Sequence, residues 1–143
     1  MNPNSKPASN ANEVSLLRLY LLRGLYLLMF VGLAIVQWPE IIHHEEPWEL
    51  MEGVVAVMLG AFSALSLLGL RYPLQMLPLL MWEMAWKLLW VIVVAIPLWI
   101  DGTMDEAHWS VFSSFLLMIL FPFIIPWRYV FAHYVKKRGD RWR

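Results

Sequence analysis

Four long apolar runs constrain this chain more than any other feature of its sequence. They cover about residues 16–38, 48–70, 74–100 and 108–127, and few charged residues interrupt them. A helix needs ~20 apolar residues to cross ~30 Å of hydrocarbon, and unbroken runs of this length exclude the strands of a barrel. Hydrophobic residues make up 60% of the 143, which is more than a soluble domain of this size can bury. We therefore expect an all-α integral membrane protein with four transmembrane helices.

The segments outside and between the runs complete the predicted domain organisation. Residues 1–15 are polar and carry no apolar periodicity, so we interpret them as a flexible lead. Residues 16–127 are expected to form the transmembrane domain, and residues 128–143 a basic and aromatic tail at the membrane interface. The connecting loops are short, which predicts that consecutive helices pack antiparallel in an up-down bundle.

The basic residues lie on one side of this predicted bundle. All of them except Lys87 precede the first run, lie near its start, follow the second run or follow the fourth. The loops at 39–49 and 101–107 contain no lysine or arginine and carry acidic residues instead. Because cytoplasmic loops are enriched in lysine and arginine, we expect both termini in the cytoplasm and both acidic loops outside. Size and helix count are typical of small proteins of the bacterial inner (plasma) membrane, which is the location we predict.

Two charged residues, Glu83 and Lys87, lie inside the third apolar run. A charge at the centre of a bilayer costs at least ~2.5 kcal/mol, so each needs a partner or a role. They are four residues apart with the glutamate first, which places both side chains on one helix face in the favourable order. Arg23, in the first run, is expected to approach Glu83 from the neighbouring helix. The sequence leaves open a neutralised network that fixes helix register, a polar site for a proton, a lipid headgroup or a small anion, and side chains that reach out to the interface.

Small residues predict which helix faces pack together. Ala56, Gly60 and Ala64 recur every four residues along the second run, and Gly24 and Gly32 form a weaker line along the first. Small side chains let helices approach each other closely in lipid. We therefore expect these five residues at contacts between helices.

Histidine and acidic residues cluster in the two loops that lack basic residues. His43, His44, Glu49 and Glu52 belong to the first of these loops and the helix start after it, and His108 follows the second. Imidazole and carboxylate groups together can ligate zinc, copper, manganese or iron. Adjacent histidines do not easily reach one ion from regular backbone, and no HExxH motif is present. The leading interpretation is a solvated acidic loop, with a metal site or a surface for a protein partner as the alternatives; no other cofactor is predicted.

The C-terminal tail mixes aromatic and basic residues. Pro122 and Pro126 precede it and predict a kink or an end of the fourth helix. Basic residues near a membrane surface are attracted to anionic lipids by ~1 kcal/mol each. We expect an anchor on anionic lipid at the cytoplasmic face, formed by Trp127, Arg128, Lys136, Lys137, Arg138, Arg141 and Arg143. A docking site for a cytoplasmic protein is the alternative, and nucleic-acid binding is not predicted because lipid explains the same charges.

The sequence lacks the motifs of several enzyme classes. It has no P-loop, GxSxG or HExxH motif, and no cysteine for disulfides or thiolate metal sites. The leading hypothesis is a noncatalytic accessory or assembly module of a membrane complex, associated with another membrane protein or with copies of itself. One alternative is a small oligomeric transporter or channel subunit that uses Glu83 and Lys87. The other is a metal or redox helper at the outer face that uses His43, His44, His108 and nearby carboxylates.

Overall fold

The computed structural model describes residues 14–45 and 47–140, and in this part of the chain all regular secondary structure is helical. Four helices are long and apolar enough to cross a membrane: Leu16–His43, Leu50–Arg71, Leu77–Ile100 and Glu106–Ile124. We refer to them as the first to fourth long helices. They confirm the prediction of an all-helical chain with four apolar helices of membrane-spanning length. The predicted lead lies outside the described residues, except for its last two positions.

The first long helix extends further than the first apolar run predicts. Its N-cap is Ser15, whose hydroxyl accepts a hydrogen bond from the backbone N–H of Arg18 at 3.3 Å. The helix passes through Pro39 and ends at His43, five residues beyond the predicted boundary at 38. A proline inside a helix removes one hydrogen bond and crowds the carbonyl four residues earlier, but packing of the following turn against a neighbouring helix can offset this cost. That packing is visible at Ile41, which lies against Gly60 of the second helix.

The third long helix contains one turn of π-helix between two α-helical parts. The α-helix Leu77–Trp90 is followed by the π-helical segment Val91–Ala95 and by a final α-helix, Ile96–Ile100. Pro97 explains this change, because it has no N–H and its ring crowds the carbonyl four residues earlier. The N–H of Ile96 donates instead to the carbonyl of Val91, five residues back. The helix begins at Leu77 rather than at 74, because the residues before it form a turn.

The fourth long helix changes from α-helix to 3-10 helix and back before it ends ahead of Pro126. It is α-helical over Glu106–Ser114, 3-10 helical over Phe115–Leu120 and α-helical again over Phe121–Ile124. Two short helices, Trp127–Val130 and the π-helical Phe131–Lys136, follow the break. Pro126 supplies no N–H, and the indole N–H of Trp127 donates to the carbonyl of Pro122 at 2.7 Å. The helix therefore ends three residues before the predicted limit of 127.

The buried core lies at the end of the molecule where the second helix turns into the third. It combines residues of all four long helices with Ile125 and Val130, which lie on either side of the break at Pro126. Two side chains of the first helix hold the turn: Arg23 Nε donates to the Leu70 carbonyl at 3.0 Å, and the Tyr26 hydroxyl donates to the Pro73 carbonyl at 3.0 Å. The fully packed core residues are Leu22, Leu25, Tyr26, Met29, Phe62, Leu77, Leu80, Phe121, Ile125 and Val130.

The four long helices differ in how far the chain covers its own apolar surface. The most apolar windows of the first and second helices are 22% and 33% buried, whereas those of the third and fourth are 17% and 11% buried. The first two helices pack together along most of their length, and the contacts of the other two are sparser. Most of the apolar surface of the third and fourth helices is thus left for lipid or for another protein.

Candidate functional site

Glu83 and Lys87 form an ion pair inside the third long helix. The Glu83 Oε1 atom lies 2.5 Å from Lys87 Nζ, and the other carboxylate oxygen, Oε2, accepts a hydrogen bond from the indole N–H of Trp86 at 2.7 Å. Only 2% of Glu83 is exposed. Both oxygens of this buried carboxylate are therefore satisfied within a single turn of one helix. This confirms that the two side chains share a helix face, as their four-residue spacing predicts.

Aromatic rings surround the ammonium group of this pair. Lys87 Nζ lies 5.1 Å from the centre of the Phe115 ring and 5.6 Å from that of Trp86. The electron-rich faces of such rings attract a cation. Phe115 belongs to the fourth helix, so the charge of Lys87 links the third and fourth helices. No local pattern in the sequence indicates Phe115, because its contact with Lys87 depends on how the third and fourth helices are rotated against each other.

The tryptophans of the third helix connect it to the helices on either side. Trp82 packs against Phe62 of the second helix with ring centres 5.6 Å apart. Trp86 and Trp90 both meet Phe115 edge-on, at 5.3 and 5.2 Å. Edge-to-face contacts of this kind add to the stability given by buried area alone. Ring contacts beside the ion pair thus connect the second, third and fourth helices.

Arg23 does not join the ion pair. Its guanidinium Nε donates to the carbonyl of Leu70, in the last turn of the second helix, and lies 5.6 Å from the Tyr20 ring. A cation is favourable there, because the last carbonyls of a helix have no partners within it and carry partial negative charge. In the described residues, the structure therefore brings Glu83 and Lys87 together and leaves Arg23 at the turn.

The buried face of the second helix differs from the line of small residues that the sequence predicts. Ala56 and Gly60 are buried, and Ile41 lies so close to Gly60 that an added Cβ would sit 2.6 Å from its Cδ1 atom. Ala64 is exposed, and the buried positions continue at Ser63 and Ser66 instead. Ser63 makes a contact between helices that the small-residue pattern did not predict. Its hydroxyl donates to the carbonyl of Phe30 and accepts a hydrogen bond from the indole of Trp38, which links the first two helices.

The two glycines of the first helix make no close approach to other helices. Gly24 and Gly32 are exposed, and a Cβ added at either position would meet no atom within 4 Å. Both therefore lie on the outer surface of the chain. The structure does not place them at contacts between the described helices, and their role as packing positions stays a prediction.

The described histidines of the acidic loops do not form a group of metal ligands. His44 stacks on Trp48 with ring centres 4.6 Å apart, and its Nδ1 lies 3.0 Å from the Ile41 carbonyl. His43, Glu49 and Glu52 are exposed. Across residues 14–45 and 47–140, no three His, Asp or Glu side chains are grouped closely enough to hold a metal ion. The described residues therefore do not bring His43 and His44 together with His108 in one site.

His108 pairs with the residue that caps its helix. The Asp105 carboxylate accepts hydrogen bonds from the backbone N–H of His108 at 2.9 Å, and His108 Nδ1 lies 2.6 Å from the same oxygen. The backbone hydrogen bond, followed by the side-chain bond, holds the pKa of Asp105 below its ordinary value. Because the carboxylate is at the N-cap of the fourth long helix, this pair is explained as a helix cap.

The tail combines a fixed start with exposed basic residues. Trp127 is held by its bond to the Pro122 carbonyl, and the Tyr134 hydroxyl lies 3.5 Å from the Leu74 carbonyl of the preceding turn. The basic side chains of Arg128, Lys136, Lys137 and Arg138 are exposed. Arg141 and Arg143 lie outside the described residues. Contact of this tail with lipid stays a prediction.

Comparison of the chain with known protein families, with curated proteins and with solved structures finds no match. Its function is therefore inferred from the geometry above.

Proposed function

We propose that this chain is a noncatalytic accessory or assembly module of a membrane complex. The observation that carries the proposal is the internal pairing of the charges in the third helix. Glu83 directs both carboxylate oxygens to Lys87 and Trp86, and rings of the third and fourth helices surround Lys87. A buried carboxylate whose two oxygens are both satisfied within its own helix favours an architectural role for the pair over a role in binding a substrate.

The uncovered surface of the third and fourth helices supports association with another membrane protein. Their most apolar windows are only 17% and 11% buried by the rest of the chain. Leu116, Ile119 and Phe123 of the fourth helix are 56%, 56% and 75% exposed. In lipid, helices associate through close packing of such surfaces with a partner helix. The partner is a different membrane protein or a second copy of this chain.

The orientation of the proposed module is inferred from the distribution of charge, and its location from its size and helix count. The proposed module lies in a bacterial inner membrane as an up-down antiparallel bundle, with both termini in the cytoplasm and both acidic loops outside. Lysine and arginine occur in the N-terminal segment, at the turn between the second and third long helices and in the tail, as expected for cytoplasmic segments. The exposed basic residues of the tail would then contact anionic lipid headgroups on the cytoplasmic side.

Co-purification in mild detergent, with mass spectrometry of the bound proteins, tests this proposal. We expect a membrane protein recovered in a constant ratio to the tagged chain in two different detergents. If the partner is a second copy, a chain with one tag will recover a chain with another. Absence of any constant-ratio partner in both detergents would contradict the proposal.

Two matched variants locate the association surface. Ile119→Trp adds bulk to the exposed face of the fourth helix, and Ile35→Trp makes the same change on the first helix, where Ile35 is 70% exposed. We expect Ile119→Trp to lower partner recovery and Ile35→Trp to leave it near the wild-type level. Equal recovery with both variants would show that the fourth helix is not the contact surface.

A further inference from the structure

An apolar cavity of about 260 Å³ lies between the third and fourth long helices, at the end that carries the acidic loop. The third helix, the loop and the fourth helix all contribute to its wall. The lining residues are Val91, Ala95, Ile96, Trp99, Met104, Trp109 and Phe112. None of them has a charged side chain, and neither Glu83 nor Lys87 is among them. The cavity is therefore separate from the ion pair.

The backbone of the third helix builds one wall of this cavity. Val91 and Ala95 belong to the π-helical turn that Pro97 causes, and Ile96 follows it directly. In a π-helical turn each N–H bonds to the carbonyl five residues back instead of four. The extra residue changes the direction in which the following side chains point around the helix axis. Ala95 is 97% buried and its side chain is short, which leaves space beside it. On the other side, Trp109 and Phe112 form an edge-to-face pair with ring centres 5.8 Å apart.

The lining and position of the cavity fit the acyl chain of a lipid. Apolar cavities exclude water, and a cavity of ~150 Å³ already suffices for a small hydrocarbon. Here the volume is larger and the cavity lies in helices that are apolar enough to cross a membrane. Trp99 and Trp109 are 66% and 47% exposed at the cavity wall. Tryptophans in such positions mark the level at which lipid headgroups begin.

The charged residues near the cavity indicate which lipid headgroup would bind beside it. Residues 88–127 contain no lysine or arginine. Asp101, Asp105 and Glu106 are exposed on the loop and helix start beside Trp99 and Met104. Asp105 is paired with His108, whereas Asp101 and Glu106 have no ion-pair partner among the described residues. Exposed carboxylates of this kind repel an anionic headgroup and attract a primary ammonium group. The apolar cavity and its acidic border together point to a phospholipid with an amine.

We propose that this cavity binds one acyl chain of phosphatidylethanolamine, whose ammonium group lies beside the acidic loop. The site goes beyond the function as an accessory module and does not depend on it. It requires only that the four helices lie in a bilayer. A lipid held there would fill the space between the third and fourth helices and complete their packing.

Photo-crosslinking in vesicles of phosphatidylethanolamine and phosphatidylglycerol tests the site. The probe is a trace of phosphatidylethanolamine with a diazirine in its acyl chain, and cross-linked peptides are identified by mass spectrometry. We expect labelling of the wild-type chain to saturate, to fall when unlabelled phosphatidylethanolamine is added, and to concentrate on the cavity residues. Labelling spread evenly over the exposed faces of all four helices would overturn the proposal, without the need for any variant.

A matched pair of variants separates the cavity from the general lipid surface. Ile96→Trp places a large ring at the cavity, and Ile92→Trp makes the same change one turn earlier at a residue that is 52% exposed and does not line the cavity. We expect Ile96→Trp to lose most of the saturable labelling and Ile92→Trp to keep it. Equal labelling of the two variants would overturn the site. Equal saturable labelling by the same probe built on phosphatidylglycerol would overturn the headgroup assignment.

Discussion

The ring of Tyr26 lies directly on Gly69, so that a Cβ at Gly69 would overlap three atoms of the ring. Tyr26 is fully buried and its hydroxyl is bonded to the turn that follows the second helix. It therefore cannot move aside without breaking that bond. The first and second helices are therefore in close contact here, at the edge of the core. The first prediction follows from this contact.

Gly69→Ala is expected to lower the free energy of unfolding. Overpacking of a well-packed contact costs about 1–3 kcal/mol, because neighbouring side chains must leave their preferred positions. Gly24→Ala is the control, since a Cβ there meets nothing within 4 Å. Alanine is also a better helix former by about 0.5–1 kcal/mol. Thermal unfolding in one detergent should therefore show a lower Tm for Gly69→Ala and an equal or higher Tm for Gly24→Ala. Equal effects of the two changes would contradict the close contact.

The second prediction concerns the ion pair. Glu83→Gln leaves the ammonium group of Lys87 buried without a counter-charge, and breaking a buried pair in this way costs about 3–5 kcal/mol. Replacing both charges, with Glu83→Gln and Lys87→Met together, removes the unpaired charge and should recover much of that loss. Thermal unfolding of the two single variants and the double variant measures the coupling between the side chains. Additive losses, with no coupling beyond about 0.5 kcal/mol, would show that the pair does not stabilise the fold.

Hydropathy and spacing predicted the four long helices and the shared face of Glu83 and Lys87, because both depend on a few turns of one helix. Contacts between helices depend on rotation and on where each helix ends. Arg23 was expected at Glu83, but the second helix ends beside Arg23 and offers it the Leu70 carbonyl. The line through Ala64 also fails, because steps of four drift around a helix of about 3.6 residues per turn. A buried face therefore needs steps of three as well as four, and the buried positions continue from Gly60 to Ser63 and Ser66.

The third prediction tests the hydrogen bond that holds the turn after the second helix. Tyr26→Phe keeps the buried ring and removes the hydroxyl that donates to the Pro73 carbonyl at 3.0 Å. A buried hydrogen bond of this kind contributes about 0.5–1.5 kcal/mol, so we expect a loss of that size. Tyr20→Phe is the matched control, because Tyr20 is 59% exposed. Thermal unfolding of both variants provides the measurement, and an equal Tm for the two would contradict the role of the Tyr26 hydroxyl.

The fourth prediction concerns the cap of the fourth long helix at low pH. The hydrogen bonds from His108 hold the pKa of Asp105 below its ordinary value of 3.8, so the folded state binds the proton more weakly than the unfolded state. The stabilisation is therefore complete above that ordinary value and is lost as the pH falls through the lower folded value. Asparagine is an equally good cap and does not titrate, so Asp105→Asn should remove the acid-dependent loss. Hydrogen exchange protection of the Asp105–Trp109 backbone, measured as the pH is lowered, tests this. An unchanged pH dependence in Asp105→Asn would contradict the assignment, and Asp101→Asn is the control that should behave like the wild type.

The last prediction tests the orientation that we propose from the basic residues. A reporter enzyme that is active only outside the cytoplasm should be active when it is fused after residue 104, in the loop that carries Asp101 and Asp105 and no basic residue. The same reporter should be silent at the C-terminus, after the cluster of exposed basic residues in the tail. The physical reason is that translocation of lysine and arginine is disfavoured, so that segments rich in them stay inside. A cytoplasm-specific reporter at the same two positions is the control and should give the opposite pattern. Activity of the first reporter at the C-terminus and silence after residue 104 would reverse the orientation. The basic tail would then face away from the anionic lipids of the cytoplasmic leaflet, and the proposed anchor would lose its physical basis.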